Sequence, residues 1–425
     1  MTRRFPSLVI AMILLALPLA AQVQDTVPPR FFIERIEVRN AKRVSTDVLI
    51  YESRLREGQE YTEADLSDAS ARLDRLPFLL SSEFALERGS ERGRYVLVIR
   101  VNETKPFFYR LDIRPILTDN TISGLDQSGD NISASDTEAF IGYRWFVGRR
   151  GAVHVGLQFQ DDNRDFTQEY GAWALGYTHY DIFGTRAFAT VNLKRTHGSG
   201  TITPQIVVGM PLSTNQTLTL AYDDVQIDEE DRELAGVVLT DDESQRVGSI
   251  TWSYNTTNQP YLPTRGTRLS VTPLVAWRDD AFYSFVVTDP PTSPPTVIPV
   301  IVHRRSYGVD AAAARFWEIT DRSSVSAGAE GGWAKTVDRG RLDRSFDSTY
   351  AIVHAGYSWS LWDRDARRDG DNRFEANVRV STRTREELER EGFLLSDENT
   401  LVGLSGSWVR RSSWGIVRLG LGWAW

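Results

Sequence analysis

From Phe107 onward, large apolar side chains recur at every second position, and helical periodicity nearly vanishes. Val153, Val155, Leu157 and Phe159 alternate with His154, Gly156, Gln158 and Gln160, and Val191 and Leu193 alternate with Thr190, Asn192 and Lys194. The same pattern sets Ile250, Trp252 and Tyr254 against Thr251, Ser253 and Asn255, and Phe374, Ala376, Val378 and Val380 against Glu375, Asn377, Arg379 and Ser381. Runs of about ten residues with period two are strands with two unlike faces. Alternation alone does not say which face is outward. The polar members are too numerous for a dry core, however, and a soluble sandwich would have to leave Trp, Tyr and Val outside. A barrel in a bilayer turns the bulky side chains to lipid and keeps the polar ones over a wet lumen. The closing stretch, Trp414 to Trp425, fits this. Val417, Leu419, Leu421, Trp423 and Trp425 share one face, opposite Ile416, Arg418, Gly420, Gly422 and Ala424. Its terminal tryptophans suit an interfacial girdle.

Composition excludes several alternatives. After the N-terminus, the chain has no unbroken apolar run of the roughly 18 or more residues that a membrane-spanning helix needs. A formal net charge of -8 disfavours wrapping of nucleic acid, since no basic field is present to displace counterions. With no cysteine among 425 residues, disulfides, thiol nucleophiles and Cys-based metal sites are excluded. Arg3, Arg4 and the apolar run Leu8–Leu19, followed by Ala20-Ala21, read as an export signal over 1–21. A linker over 22–30 follows.

Residues 31–105 read as a small α+β unit. Phe32 to Val38 alternate as a strand, Ser45 is placed to cap a helix to about Leu55, and Gly58 supplies a stop. Thr62-Glu63-Ala64-Asp65 has the form of a capping box. Leu66, Ala69, Leu73 and Leu76 then make one apolar stripe, which Pro77 ends. Phe84 and Leu86 mark a second strand and Arg94–Val101 a third, giving the order strand, helix, helix, strand, strand.

The segments I-E-V-R-N-A-K-R-V-S, L-R-E-G-Q-E-Y, L-D-R-L-P-F-L and Y-V-L-V-I-R-V together resemble a POTRA domain, with Arg39 where that family usually has glycine. The resemblance implies a periplasmic docking module. In such a module, Ile36, Val38, Val96 and Val98 would lie at a sheet edge to which a client strand can add.

In the remainder, 106–425, short links such as V-G-R-R-G, D-I-F-G-T and L-S-T-N-Q alternate with long ones at Asp119–Asp136, Gln226–Gln245 and Asp279–Val297. This is the asymmetry of barrel turns against outer loops. Fifteen strands are distinct. If both ends lie in the periplasm the number is even, so about sixteen are expected, with Ala281–Val287 as the additional one. Asn258–Ser270, N-Q-P-Y-L-P-T-R-G-T-R-L-S, places Pro263, Arg265 and Gly266 in a tight turn that launches a strand. This stretch resembles the turn and strand of the bacterial surface-antigen barrels, the superfamily of BamA- and TamA-like assembly factors.

That resemblance implies a loop tip folded into the lumen, for which Arg339-Gly340 is the nearest match, pairing with Glu330 or Glu375; the family's aromatic residue is missing there. A solvated surface charge is the plainer account of Arg339.

Enzyme signals are sparse. The five histidines, His154, His179, His197, His303 and His354, have no metal-binding spacing, and no G-x-S-x-G elbow occurs. His154 and His354 fall on the lumen face, and a lipid hydrolase would have to use them. Arg385–Gly392 is a charge run read as a solvated helix in a loop.

The expected protein is a mainly β, transmembrane antiparallel barrel of about 16 strands behind one small α+β POTRA domain. It would sit in a Gram-negative outer membrane with that domain in the periplasm, as a non-enzyme without cofactor or metal. Its partners would be the bilayer, unfolded protein clients and periplasmic or lipoprotein companions, and no nucleic acid. It would insert or export clients at a seam between Phe107–Thr118 and Trp414–Trp425, with Phe107, Gly420, Gly422 and Trp425 as the seam residues. A passive pore or a structural companion of another envelope complex is the alternative.

Overall fold

The computed structural model describes residues 29–424, apart from 115, 119–135, 162–168, 197–201, 229–231, 235–236, 240–241, 287–295, 340–343, 364–369 and 389–393. The export signal, Gly340, His197 and Trp425 therefore lie outside the described residues. No described helix is long and apolar enough to cross a membrane.

The first unit contains β1 (Arg30–Arg39), α1 (Thr46–Ser53), β2 (Gln59–Thr62), α2 (Glu63–Asp74), β3 (Leu79–Arg88) and β4 (Arg94–Glu103), with sheet order β2-β1-β4-β3. The capping box is present. Thr62 accepts from the Asp65 amide at 3.2 Å, while the Asp65 carboxylate accepts from the Thr62 amide at 2.8 Å. Ser45 sits at the α1 N-cap without a capping bond, its hydroxyl being turned to another partner described below. The short strand β2 is added to the expected order. Val48, Leu49, Leu66, Leu73, Leu97 and Ile99 form the core between the helices and the sheet. The stripe of α2 predicted this face.

The expected docking edge is corrected in part. Val96 and Val98 lie on β4, which has neighbours on both sides. β2 pairs only with Arg30–Ile33, so Ile36 and Val38, opposite Leu97 and Ile99 of β4, have no described strand on the other side of β1, and the Ile36 amide donates to the Glu57 carboxylate there. The open edges of the sheet are β2, β3 and the second half of β1.

The second unit is a closed barrel. Its wall runs β5 (Phe107–Arg114), β7 (Asp136–Val147), β8 (Gly151–Asp161), β9 (Glu169–His179), β10 (Phe188–Thr196), β11 (Thr203–Pro211) and β12 (Gln216–Asp228). It continues through β15 (Asp242–Asn255), β16 (Gly266–Val286), β17 (Thr296–Thr320), β18 (Ser323–Arg339), β19 (Arg344–Ser360), β20 (Asp371–Leu388), β21 (Leu394–Ser412) and β22 (Gly415–Ala424). β6 (Ile116–Thr118) continues β5 beyond Pro115, and β13 (Arg232–Leu234) with β14 (Val237–Leu239) is a separate hairpin.

Counting β5 and β6 as one traverse gives a closed wall of fifteen strands, because β22 returns to pair with both. Successive wall strands pair antiparallel, but the closing pair is parallel. Parallel closure removes the need for an even number. It also places Ala424 at the end of the barrel far from the first unit, in contrast to the expectation that both ends share one side. Ala281–Val286 is the upper part of β16, paired through to Val286↔Thr296, so most of the expected loop Asp279–Val297 is ladder. Likewise, Arg385–Leu388 belongs to β20 and is not helical.

The outer surface is apolar. Val155, Leu157, Val353, Tyr357, Leu419 and Leu421 are all exposed, as are Trp145, Trp277, Trp333 and Trp359. The wall is uneven in height. β5 to β11 have 8–12 residues, whereas β16 to β21 have 17–25. Only about 9–11 residues are needed to cross a bilayer. The tall side therefore projects beyond that thickness at the far end.

Candidate functional site at the closing pair and the near mouth

The closing pair is short and divided. Tyr109 to Ile113 oppose Gly415 to Leu419, and after the break at residue 115, Ile116 to Thr118 oppose Gly422 to Ala424. Gly420 and Leu421 fall between the two paired segments, and Gly420 pairs on its other side with Ser407 of β21. Phe107, the first residue of β5, pairs with Tyr143 of β7 and precedes the stretch that meets β22. Two backbone bonds brace the near end, Lys105 N to Ser413 O at 2.7 Å and Tyr109 N to Trp414 O at 2.9 Å. Gly415 has φ +150°, and a Cβ there would collide with the Tyr109 carbonyl, so the strands can approach this closely only at a glycine. On the lumen side, Arg418 bridges the join, with Nη1 3.0 Å from Asp112 and Nη2 3.3 Å from Glu375 of β20.

The link between β15 and β16 folds inward. Leu262 is almost fully buried against Val409 of β21 and Ile416 of β22, across the lumen from its own strands. Its carbonyl accepts from Arg373 of β20 at 3.2 Å, and Arg373 is also ion-paired with Asp371. The Arg268 guanidinium holds the turn from beneath through the carbonyls of Gln259 (3.0 Å) and Pro260 (2.6 Å), while the Asn258 side-chain oxygen accepts from the amides of Thr264 and Arg265. Gly266, with φ +105°, meets the Thr256 carbonyl so closely that no Cβ fits. Pro263 and Gly266 thus shape the turn as their sequence implied, but Arg265 is exposed, and Arg268 is the arginine that organises it. The missed signal was position: Arg268 falls on the strand face that alternation assigns to the lumen.

The first unit covers the same mouth. Tyr51 donates to the Arg186 carbonyl at 2.6 Å, Ser45 to that of Arg149 at 2.5 Å, and Arg72 to that of Thr214 at 3.2 Å. Arg75 reaches the Thr257 carbonyl at 3.0 Å, and Arg411 of β21 donates to the Leu79 carbonyl at 3.1 Å. Burial, with Arg72 adding to it, lowers the Arg75 pKa to about 10.

Inside the wall, polar residues form a ladder. His154 Nε2 is 3.0 Å from Asn192 Oδ1, Asn192 donates to Gln205, and Gln205 and Lys194 both reach Asp223. Gly176, on the strand between them, leaves the room in which His154 and Asn192 meet. His354 lines a lumen cavity of about 340 Å³ together with Arg268, Glu330, Arg373, Glu375 and Arg418. Both histidines expected in the lumen are therefore there. Arg339 ends β18, nine residues along the same strand from Glu330 and about 30 Å away, and the cation described beside Glu375 is Arg418. Among the described residues, no cluster of three His, Asp or Glu could hold a metal.

No protein-family model matches the chain, and no curated protein sequence does. Among solved structures, it is similar to BamA from Haemophilus ducreyi lacking POTRA domains 1-3, at a TM-score of 0.39 and 10% identity over 93% of this chain and 85% of that one. At that distance the likeness transfers neither residue roles nor activity.

Proposed function

We propose that this chain is an outer-membrane barrel that inserts or translocates protein or lipid clients, with residues 31–105 as a periplasmic docking domain of POTRA type. The observation that carries this reading is the closing pair. Every other wall strand lies in an antiparallel ladder, whereas β22 meets β5 and β6 through two short parallel segments interrupted at residue 115. Parallel pairing is slightly weaker per residue. A short, broken seam is where the wall opens most easily, and its freed backbone groups would seek a client strand. The exposed apolar belt supports membrane residence. The inward turn at 256–265 obstructs the lumen beside the same seam, which speaks against a passive pore.

The test is a disulfide lock. Asp112 and Arg418 are register partners in a chain without native cysteine, so Asp112→Cys with Arg418→Cys places one bridge across the seam. Oxidation is expected to arrest client assembly, read as loss of dependent proteins or lipid asymmetry from the outer membrane, and reductant to restore it. Unchanged assembly in the oxidised form counts against seam opening. Steady open-channel conductance with no client defect on deletion would favour the pore.

A further inference from the structure

We propose that the cavity beneath the closing pair binds a phosphate group, held between Arg144 and Arg411. The cavity, of about 290 Å³, lies where Pro77 and Thr104 of the first unit meet β5, β7, β8 and the β21–β22 turn. Arg110, Arg144 and Arg411 line it, together with the rings of Phe108 and Phe140, and no Asp or Glu does. Arg411 is 3% exposed. Its Nη2 is satisfied by the Leu79 carbonyl, but its buried Nη1 has no hydrogen-bond partner. A buried guanidinium N–H without an acceptor is costly, so its retention at a cavity wall calls for an acceptor that enters from outside the chain.

Arg144 supplies the second cation. Its guanidinium stacks on Phe108 at 5.0 Å and Phe78 at 5.7 Å, and no carboxylate pairs with it among the described residues. Stacking fixes the plane of the fork and leaves its edge N–H groups directed for a planar or tetrahedral oxyanion. Two guanidiniums beside one cavity whose lining has no carboxylate match the charge and oxygen count of a phosphate better than those of a single carboxylate. The aromatic walls suit a phosphate carrying an apolar substituent, as on a lipid headgroup, and free phosphate would use the same cations. Tyr109, Arg110, Gly415 and Ile416 of the closing pair form part of its wall, so the site is that of the closed seam.

The full chain, folded in neutral-detergent micelles, is titrated with inorganic phosphate, a single-chain lysophosphatidic acid, and the monoacylglycerol and fatty acid of equal length, with binding read by native mass spectrometry. The expected result is a one-to-one adduct with the lysophosphatidic acid, weakened tenfold or more by Arg144→Gln, and none with the monoacylglycerol. Comparable binding of inorganic phosphate supports the site with free phosphate as its source. Equal binding of the neutral lipid or the fatty acid, or an Arg144→Gln affinity equal to that of the parent chain, overturns the proposal. Should Arg144→Gln fail to fold, Arg411→Gln in the same assay carries the same expectation and the same overturning result.

Discussion

Arg418 Nη1 lies 3.0 Å from the Asp112 carboxylate across the parallel pair that closes the barrel, and the two residues are also register partners. One ion pair thus reinforces the weakest ladder in the wall from its lumen face. Both side chains are largely shielded, so removing one leaves the other partly desolvated and unpaired. Asp112→Asn is expected to lower barrel stability by about 2 kcal/mol, measured as an earlier urea midpoint of tryptophan fluorescence in micelles. Should seam opening limit client assembly, the same variant should assemble clients faster, and an unchanged rate would separate stability from function.

Gly266→Ala should be among the most damaging single-methyl additions. The backbone there is at φ +105°, and the added carbon would meet the Thr256 carbonyl and the Thr257 Cα, neither of which can swing away as a side chain end can. Combined dihedral strain and backbone collision are expected to cost about 2–4 kcal/mol. The turn should lose its hold on Leu262, read as faster proteolysis after Arg265 and an earlier unfolding midpoint. Parent-like behaviour would mean that the turn tolerates a rearranged backbone.

The barrel was legible because period two survives across most of the wall, and exposed Leu157, Val353, Leu419 and Leu421 are on the faces that alternation assigned to lipid. The parity of the wall was not legible. It depends on whether β22 meets β5 head-on or alongside, and the pattern of side chains is the same in both cases. The strand lengths were misread at Ala281–Val286 because the alternation there runs on beyond the bilayer, while the sequence around it carries the Pro and Asp of a loop. At the near mouth, Gly266 and Pro263 announced a turn, but its inward direction is set by what Leu262 meets, Arg373, Val409 and Ile416, which lie more than a hundred residues away in sequence. Of the docking residues, Val96 and Val98 were misplaced because β4 alternates like an edge strand although it is flanked on both sides, and only the pairing with β3 reveals it.

In the first unit, acid should remove stability through two exposed carboxylates. The Ser90 amide, donating at 2.9 Å, and the Ser90 hydroxyl hold Glu34 below the usual 4.5, and the Arg39 fork at 2.7 Å does the same for Glu87. A carboxylate whose folded pKa is depressed contributes stability that is fully present above 4.5 and lost as pH falls through the lower, folded value. The unfolding midpoint should therefore fall as pH drops below about 4.5. Glu34→Gln and Glu87→Gln should each flatten that slope, and an unaltered slope in the double variant would assign the acid sensitivity elsewhere.

Gly176 offers the contrast to Gly266. A Cβ there would strike His154 Nε2 and Asn192 Oδ1, both at the ends of side chains that can rotate into the lumen. Gly176→Ala should therefore leave the wall intact and break one bond of the polar ladder, at a cost of about 1 kcal/mol. Because Asn192 Nδ2 donates to Gln205, its oxygen is the acceptor for His154, which places the imidazole proton on Nε2. Loss of that bond frees the tautomer, and nitrogen NMR of the imidazole should change from one defined pattern to an average. Asn192→Ala should give the same averaged signal and cost more, since it also removes the bond to Gln205, and the two changes together should cost little more than Asn192→Ala alone, which already lacks the bond to His154. Additive costs would show that Gly176 acts through backbone packing and not through the room it leaves above β9.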